Sequence, residues 1–526
     1  MPEMKFLESD EASVLRAVAA LADGNPFLPE RLRNEQAALR DAFVDTGQVW
    51  HAEAELSGLH PNLPKLQSLV EGLAPLLRDR LAKGANATRE ELVHYEGLVR
   101  HLLYMRYEHC FLALILEGAA GRSSTRRVPE YRAFARDLAH FCDLPGVTLP
   151  ARSEPAHLFA WGYQIRRAFQ NTFRQIFGGS AAAARLRASV WQSIFTHDAQ
   201  RYRRALTQRM GDVPTLVTGE SGTGKELVAR AIGYSRYIPF DEKSQSFTHD
   251  FASSFHAVNL SALSPTLIES ELFGHRRGAF TGAVEDRTGW LESCGPHGTV
   301  FLDEIGELDA GVQVKLLRVL QSRSFQRIGE TEERRFEGKI IAATNRDLDS
   351  LMESGRFRPD FYYRLCADRI RTPTLREQIE AAPGELSRLL QILAARIAGE
   401  AEGPALAREV ARFIEKQLPE HAWPGNVREL EQCVRSVLVH GDYAPPRAAA
   451  GPGDELATAL AAGEISADEL MRRYCTVVYA KTGSYEEAAR RLGLDRRTVK
   501  AKIDAELLAE LNASQRPHAT ASERRS

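Results

Sequence analysis

Gly219-Glu220-Ser221-Gly222-Thr223-Gly224-Lys225 is a stretch built to handle phosphate. Glycines at 219, 222 and 224 let successive backbone N–H groups turn inward on phosphate oxygens. Lys225 would reach the β- and γ-phosphates of a nucleotide. The chemistry needs a particular setting: a strand that delivers the loop and a helix that leaves it, whose N-terminus adds partial positive charge. Thr215-Leu216-Val217-Thr218 reads as that strand and Glu226 to Ile232 as that helix. Position 226 is Glu, where the general phosphate-loop pattern has a Ser or Thr on magnesium.

A second stretch, Gly298-Thr299-Val300-Phe301-Leu302-Asp303-Glu304, is an apolar strand ending in two carboxylates and resembles a Walker B motif. Asp303 would hold Mg²⁺ and Glu304 would orient and polarise the attacking water. Between the two stretches lies Gly278-Ala279-Phe280-Thr281-Gly282-Ala283. One Phe among small residues makes a poor core segment but a good flexible loop tip with one apolar contact point. This hexapeptide resembles the signature of the sigma-54-dependent transcriptional activators, a branch of the AAA+ ATPases. The form Gly219 to Glu226 is also the one usual in that branch.

The resemblance implies further roles. Gly278 to Ala283, led by Phe280 and Thr281, would contact the sigma factor when ATP is near its transition state. Asn259 sits where the family has an Asn that pairs with the Walker B glutamate. Thr344-Asn345 resembles sensor I, with Asn345 bonded to the γ-phosphate or the water. Trp423-Pro424-Gly425-Asn426-Val427-Arg428 resembles sensor II, with Arg428 reaching the nucleotide from a lid. The arginines matching Arg358 and Arg364 act as fingers on ATP bound by a neighbouring subunit, which implies a ring, expected to be a hexamer. Two departures stand out: extra polar sequence from Asp241 to Ser254, expected to be a surface insertion, and an unusual segment, Val190 to Asp198, that leaves adenine recognition open.

At 526 residues the chain is too long for one core. Hydrophobic content of 44% and charged content of 26% are those of a globular protein, and a net charge of -2 requires any nucleic-acid surface to be local. The six cysteines show no ligand spacing, which argues against disulfides and zinc and fits a bacterial cytoplasm. No signal peptide or membrane span is read. The expected layout is multidomain. Residues 1–180 form an all-α region of regulatory character; 185–370 form an α/β AAA+ subdomain and 371–443 its helical lid. A linker (444–463), a helix-turn-helix unit (464–511) and a disordered tail (512–526) follow.

The segment Lys481 to Ile503 carries seven Lys/Arg against three Asp/Glu and resembles the Fis-like helix-turn-helix that closes this family. Ala488, Ala489, Leu492, Leu494, Val499 and Ile503 fit two helices crossing over a small core, with Gly493 at the turn. Arg496, Arg497, Thr498, Lys500 and Lys502 would face DNA. The reading is an ATP-driven ring, bound to upstream DNA, that converts the closed complex of sigma-54 RNA polymerase holoenzyme to the open one. The alternatives are a DNA-binding AAA+ repressor that no longer meets sigma-54, and a remodeller of another client.

Overall fold

The structure is a computed structural model that describes residues 5–45, 60–121, 126–150, 154–251, 254–445, 465–505 and 507–508. The linker from Pro446 to Gly463 and the tail 512–526 lie outside the described residues. The chain divides into two compact units, Met1–Asp442 and Tyr443–Ser526.

The centre of the first unit is a five-stranded, all-parallel sheet. In chain order its strands are β1 (Thr215–Thr218), β4 (Phe255–Asn259), β5 (Thr299–Asp303), β8 (Lys339–Thr344) and β9 (Asp368–Arg371), and in space they run β4-β5-β8-β1-β9. Strands covered on both faces must be apolar throughout, and β8 is buried at every position. The expected strands at 215–218, 300–302 and 339–343 are all present. Parallel sheets place ligands beyond the carboxyl ends of their strands. Here the neighbours β5, β8 and β1 end in Asp303, Thr344 and Thr218 respectively, and each feeds a motif singled out above.

Among the described residues seven helices of ten residues or more precede the sheet: α1 (Glu11–Asp23), α2 (Glu30–Leu39), α3 (Leu63–Ala82), α4 (Arg89–Ala119), α5 (Tyr131–Cys142), α6 (Pro155–Gln175) and α7 (Ala181–Phe195). They do not form a detached module. α6 and α7 share a core with α8 (Lys225–Gly233), the helix leaving the phosphate loop: Phe169, Phe173, Trp191 and Phe195 pack with Val228, Ala229 and Ile232.

The extra sequence after Tyr237 differs from the surface insertion expected. Residues 240–247 form a hairpin, β2 (Phe240–Asp241) with β3 (Ser246–Phe247), and its aromatics are buried. The Phe247 ring lies 4.2 Å from that of Tyr163, and the Phe240 ring 4.9 Å from that of Phe159. The Val128 N–H donates to the Gln245 carbonyl at 2.7 Å, and Tyr131 donates to the Glu242 carboxylate. Phe247 and Phe251 are isolated among polar residues, so composition reads as surface while both rings are buried. Each buried ring contributes about 1.5–3 kcal/mol, so the hairpin is a clamp holding the helical region on the sheet domain.

The lid comprises α13 (Leu375–Ala381), α14 (Glu385–Gln417), broken at Gly399 where the backbone is non-helical, and α15 (Asn426–His440). Between β4 and β9 lie α9 (Pro265–Phe273), α10 (Ala310–Ser322), α11 (Leu348–Glu353) and α12 (Pro359–Leu365). The second unit holds α16 (Ala467–Thr482), α17 (Tyr485–Leu492) and α18 (Arg496–Ala501) around Ala488, Ala489 and Val499. Among the described residues no helix is long and apolar enough to cross a membrane.

Candidate functional site

The phosphate loop is held open by close backbone approaches. Gly219 and Gly222 adopt φ of 155° and 77°. A Cβ on Gly219 would meet Thr372 Oγ1 at 2.1 Å, and one on Gly222 would meet the Gly425 carbonyl at 2.1 Å, so both positions require glycine. Lys225 Nζ donates to the carbonyls of Gly219 and Glu220 at 3.0 Å each, which keeps the ammonium over the loop. Burial pushes its pKa down, against the pull of Glu304 and Asp303. Thr223 Oγ1 donates to the Glu220 carbonyl at 2.8 Å, closing the turn between Ser221 and Gly224. Glu226 points along its helix and pairs with Arg230 at 2.6 Å, which leaves Glu304 and then Asp303 as the carboxylates that act on the lysine's charge.

Asp303 and Glu304 stand where β5 ends. Burial, and then the charge of Glu304, raise the Asp303 pKa above the usual carboxylate range. Two crowded carboxylates of this kind are relieved by a divalent cation. Glu304 has φ 57°, ψ 51°, a left-handed conformation that costs a non-glycine residue about 1 kcal/mol or more. That turn lifts its carboxylate off the strand axis to accept from the Asn345 N–H at 3.3 Å. Asn259 is the register partner of Asp303 in the adjacent strand. Its side chain accepts from the Ser261 N–H at 3.0 Å and makes no hydrogen bond with Glu304.

The lid closes over the loop through its own first turn. Asn426 is buried, with φ 55°, and its amide nitrogen donates to Glu220 Oε2 at 3.1 Å and to the Ser221 carbonyl at 3.0 Å. Its amide oxygen accepts from the Leu375 N–H at 2.8 Å. Arg428 Nη1 donates to Ser221 Oγ at 3.1 Å. Loop, carboxylates and lid enclose a cleft of about 440 Å³ whose far end is apolar, lined by Ile176, Phe177, Ala183 and Leu186 with Leu389 and Leu393 of the lid. This is a slot for a flat base. It is pinned by Glu385, whose two carboxylate oxygens accept from the Gly179 N–H at 3.0 Å, and by Arg396 stacked 4.3 Å over Phe177.

The hexapeptide leaves the end of α9. Gly278 and Gly282 have φ of 82° and 101°, and the Gly278 N–H bonds the Ala283 carbonyl at 2.8 Å to close the loop. Phe280 is half-buried, its ring edge-on to His275 at 4.9 Å, while Thr281 is exposed. Next to them Val284 is 73% exposed. The base is braced: Arg276 pairs with Asp286 at 2.7 Å and Glu330 at 2.8 Å, and the Arg276 N–H donates to the Ile328 carbonyl. His275 is buried and bonded to Ser270 at 2.8 Å, a loop fastener rather than an acid or base.

The family model described as "Sigma-54 interaction domain" matches residues 194–371. Over this part the chain is similar to a sigma-54 interaction domain. Relatives include the Nif-specific regulatory protein of Azotobacter vinelandii, 46% identical over 43% of this chain and 40% of its own length. The transcriptional regulatory protein ZraR of Escherichia coli is 39% identical over 56% of this chain and 63% of its own. The chain thus spans about half the length of the curated relatives it matches. A crystal structure of NtrX from Brucella abortus in complex with ATP is 23% identical, with a TM-score of 0.37, and covers 68% of this chain and 76% of that one.

Within residues 194–371 the two candidate finger arginines lie apart from the cleft. Arg358 is exposed and paired with Asp360 at 2.8 Å; Arg364 is exposed on α12 and forms no ion pair with a described residue. Neither lines the domain's own nucleotide cleft. Sequence reasoning missed three parts: the apolar slot at 176–186, the clamp residue Asn426, and the hairpin β6 (Ser324–Phe325) with β7 (Arg334–Arg335) that braces the hexapeptide's base. Asn426 had a visible signal, since Pro-Gly-Asn before a helix is a turn sequence that tolerates positive φ.

In the second unit Arg496, Arg497, Thr498 and Lys500 are exposed along α18, whose N-terminus is capped by Asp495. Lys502 instead pairs with Asp468 of α16, and Arg496 pairs with Glu486 at 2.9 Å.

Proposed function

We propose that this protein is an ATP-hydrolysing transcriptional activator of the bacterial cytoplasm. It would bind upstream DNA and drive sigma-54 RNA polymerase holoenzyme from closed to open complex. The observation that carries the reading is the registry between the catalytic strand and the lever: Asn259, at the start of the path to α9 and the hexapeptide, is the strand partner of Asp303.

The residues present fit magnesium ATP. Backbone N–H groups of 219–225 and Lys225 would hold the phosphates, Asp303 the cation, and Ile176, Leu186 and Leu393 the base. Magnesium supplies charge neutralisation on the phosphates when bound. Glu304 orients a water; Asn345 fixes Glu304 through its N–H and offers its amide to the γ-phosphate; Arg428 reads the nucleotide from the lid. Arg358 and Arg364, remote from their own cleft, serve the cleft of a neighbour in a homo-oligomeric ring, for which a hexamer is the expected form. Change at the γ-phosphate then biases the Asn259–α9 path between two positions of Phe280 and Thr281. Arg497, Thr498 and Lys500 are free to face DNA, Arg496 would do so on release from Glu486, and Lys502 holds α18 to α16.

The test is Thr281→Ala in the full chain. ATP turnover should stay within about twofold of the parent, since Thr281 touches no phosphate ligand, while open-complex formation at a sigma-54 promoter should be lost. Normal activation by this variant would overturn the lever reading.

A further inference from the structure

A second cavity, of about 210 Å³, lies among the N-terminal helices, lined from α4 by Arg100, His101 and Tyr104, from α6 by Trp161 and Arg166, and from α7 by Trp191. Its walls are largely aromatic, but its polar atoms are unusual. His101 Nε2, Arg100 Nε and Arg166 Nε are each buried with no hydrogen-bond partner. A buried donor left unmatched costs about 1–3 kcal/mol; the two arginine Nε groups, joined by His101 Nε2 in the tautomer that carries its proton there, point to a missing acceptor.

The charges agree. Arg100 is neutralised by Asp23 at 2.5 Å. Arg31, also on the wall, is neutralised by Glu35 at 2.6 Å. Arg166 has aromatic neighbours, its guanidinium 5.8 Å from the Phe169 ring centre and beside the Tyr104 hydroxyl, and no ion pair to any described carboxylate. Glu108, the one carboxylate among the lining residues, forms no ion pair with it. Burial and Arg31 depress His101 to about 4, so its ring is neutral at pH 7 and can donate one hydrogen bond. For scale, an apolar cavity of ~150 Å³ accepts benzene, so this space suits one substituted ring.

We propose that this cavity is a binding site for a small organic acid with a single aromatic ring or short aliphatic body. The apolar body lies between Trp161 and Trp191, and the carboxylate is held by Arg166 and His101. The site is separate from the nucleotide cleft and does not depend on the sigma-54 reading.

The experiment uses the full-length protein with benzoate as probe and benzamide as its neutral counterpart, read by tryptophan fluorescence and by calorimetry. Benzoate is expected to bind saturably at or below about 1 mM and benzamide at least about tenfold more weakly. Arg166→Gln is expected to weaken benzoate about tenfold, leave benzamide unchanged and leave ATP turnover unchanged. Ala22→Leu, which fills the cavity from α1, is expected to abolish both. Absence of saturable benzoate binding below about 10 mM, or equal affinity for acid and amide in the parent protein, overturns the proposal. Unchanged benzoate affinity in a folded Arg166→Gln overturns it as well. The acid–amide comparison on the parent protein decides even where a variant fails to fold.

Discussion

The N–H of Asn345, just past the end of β8, donates to the Glu304 carboxylate at 3.3 Å, joining two adjacent strand ends through one side chain. Gln at 304 keeps an oxygen for this bond but loses the charge that polarises water. Glu304→Gln should therefore bind ATP with near-parent affinity and hydrolyse it roughly 10²–10⁴-fold more slowly. Parallel nucleotide-binding and phosphate-release assays check this; near-parent turnover would remove Glu304 from the chemistry.

Asn426 joins the lid to the phosphate loop and satisfies the buried Leu375 N–H. Asn426→Ala leaves that donor unmatched, at a cost of about 1–3 kcal/mol, and removes the bonds to Glu220 Oε2 and the Ser221 carbonyl, leaving Arg428 on Ser221 Oγ. Affinity for a fluorescent ATP analogue should fall roughly tenfold while the α-helical content stays constant. An unchanged affinity would mean that Arg428 and the loop glycines suffice to seat the lid.

Lys339 is buried at the start of β8, its ammonium donating to the Val213 carbonyl at 2.6 Å, and burial depresses its pKa to about 7. In the unfolded chain it titrates near 10.5. Between those values the unfolded state carries a proton that the folded state lacks, so this residue makes stability rise with pH; below about 7 both states are charged and the penalty is complete. The gap in melting temperature between Lys339→Met and the parent should therefore shift toward the parent as pH rises from about 7 to about 9.5. A gap independent of pH would show the lysine charged in the fold across that range.

Helix α6 covers the phosphate-loop helix with Phe169 and Phe173. A chain beginning at Ser180 strips both rings from Val228 and Ile232, whereas one beginning at Glu154 keeps them. At about 1.5–3 kcal/mol per aromatic, the shorter chain should melt at least roughly 10 °C lower, measurable by scanning fluorimetry. Equal melting temperatures would make α6 dispensable to the ATPase core.

What could be read from sequence was what neighbours in the chain encode. The loop from Gly219 to Lys225 and the pair Asp303-Glu304 declare themselves because the chemistry demands adjacent residues, and the strands carrying them have apolar centres, Leu216-Val217 and Val300-Phe301-Leu302. The core of the second unit was legible for the same reason, its helices being short and consecutive. The apolar slot was not, because it exists only where Gly179 meets Glu385, residues 206 apart in the chain. The hairpin at 240–247 was misread because 241–246 are all polar and only its ends, Phe240 and Phe247, are apolar, their burial being set by the partner helices α5 and α6. Asn259 shows the converse: its position was found, but its side chain is engaged with Ser261.

Helices α6 and α7 end at the nucleotide slot with Gln175 and Ala183, and reach the organic-acid cavity with Phe169 and Trp191. Binding at one end of these rods changes affinity at the other to the extent that it moves or stiffens them. Whatever factor one guest applies to the other's affinity is returned in full, whichever arrives first. A filled nucleotide slot and a filled cavity would then report on one another.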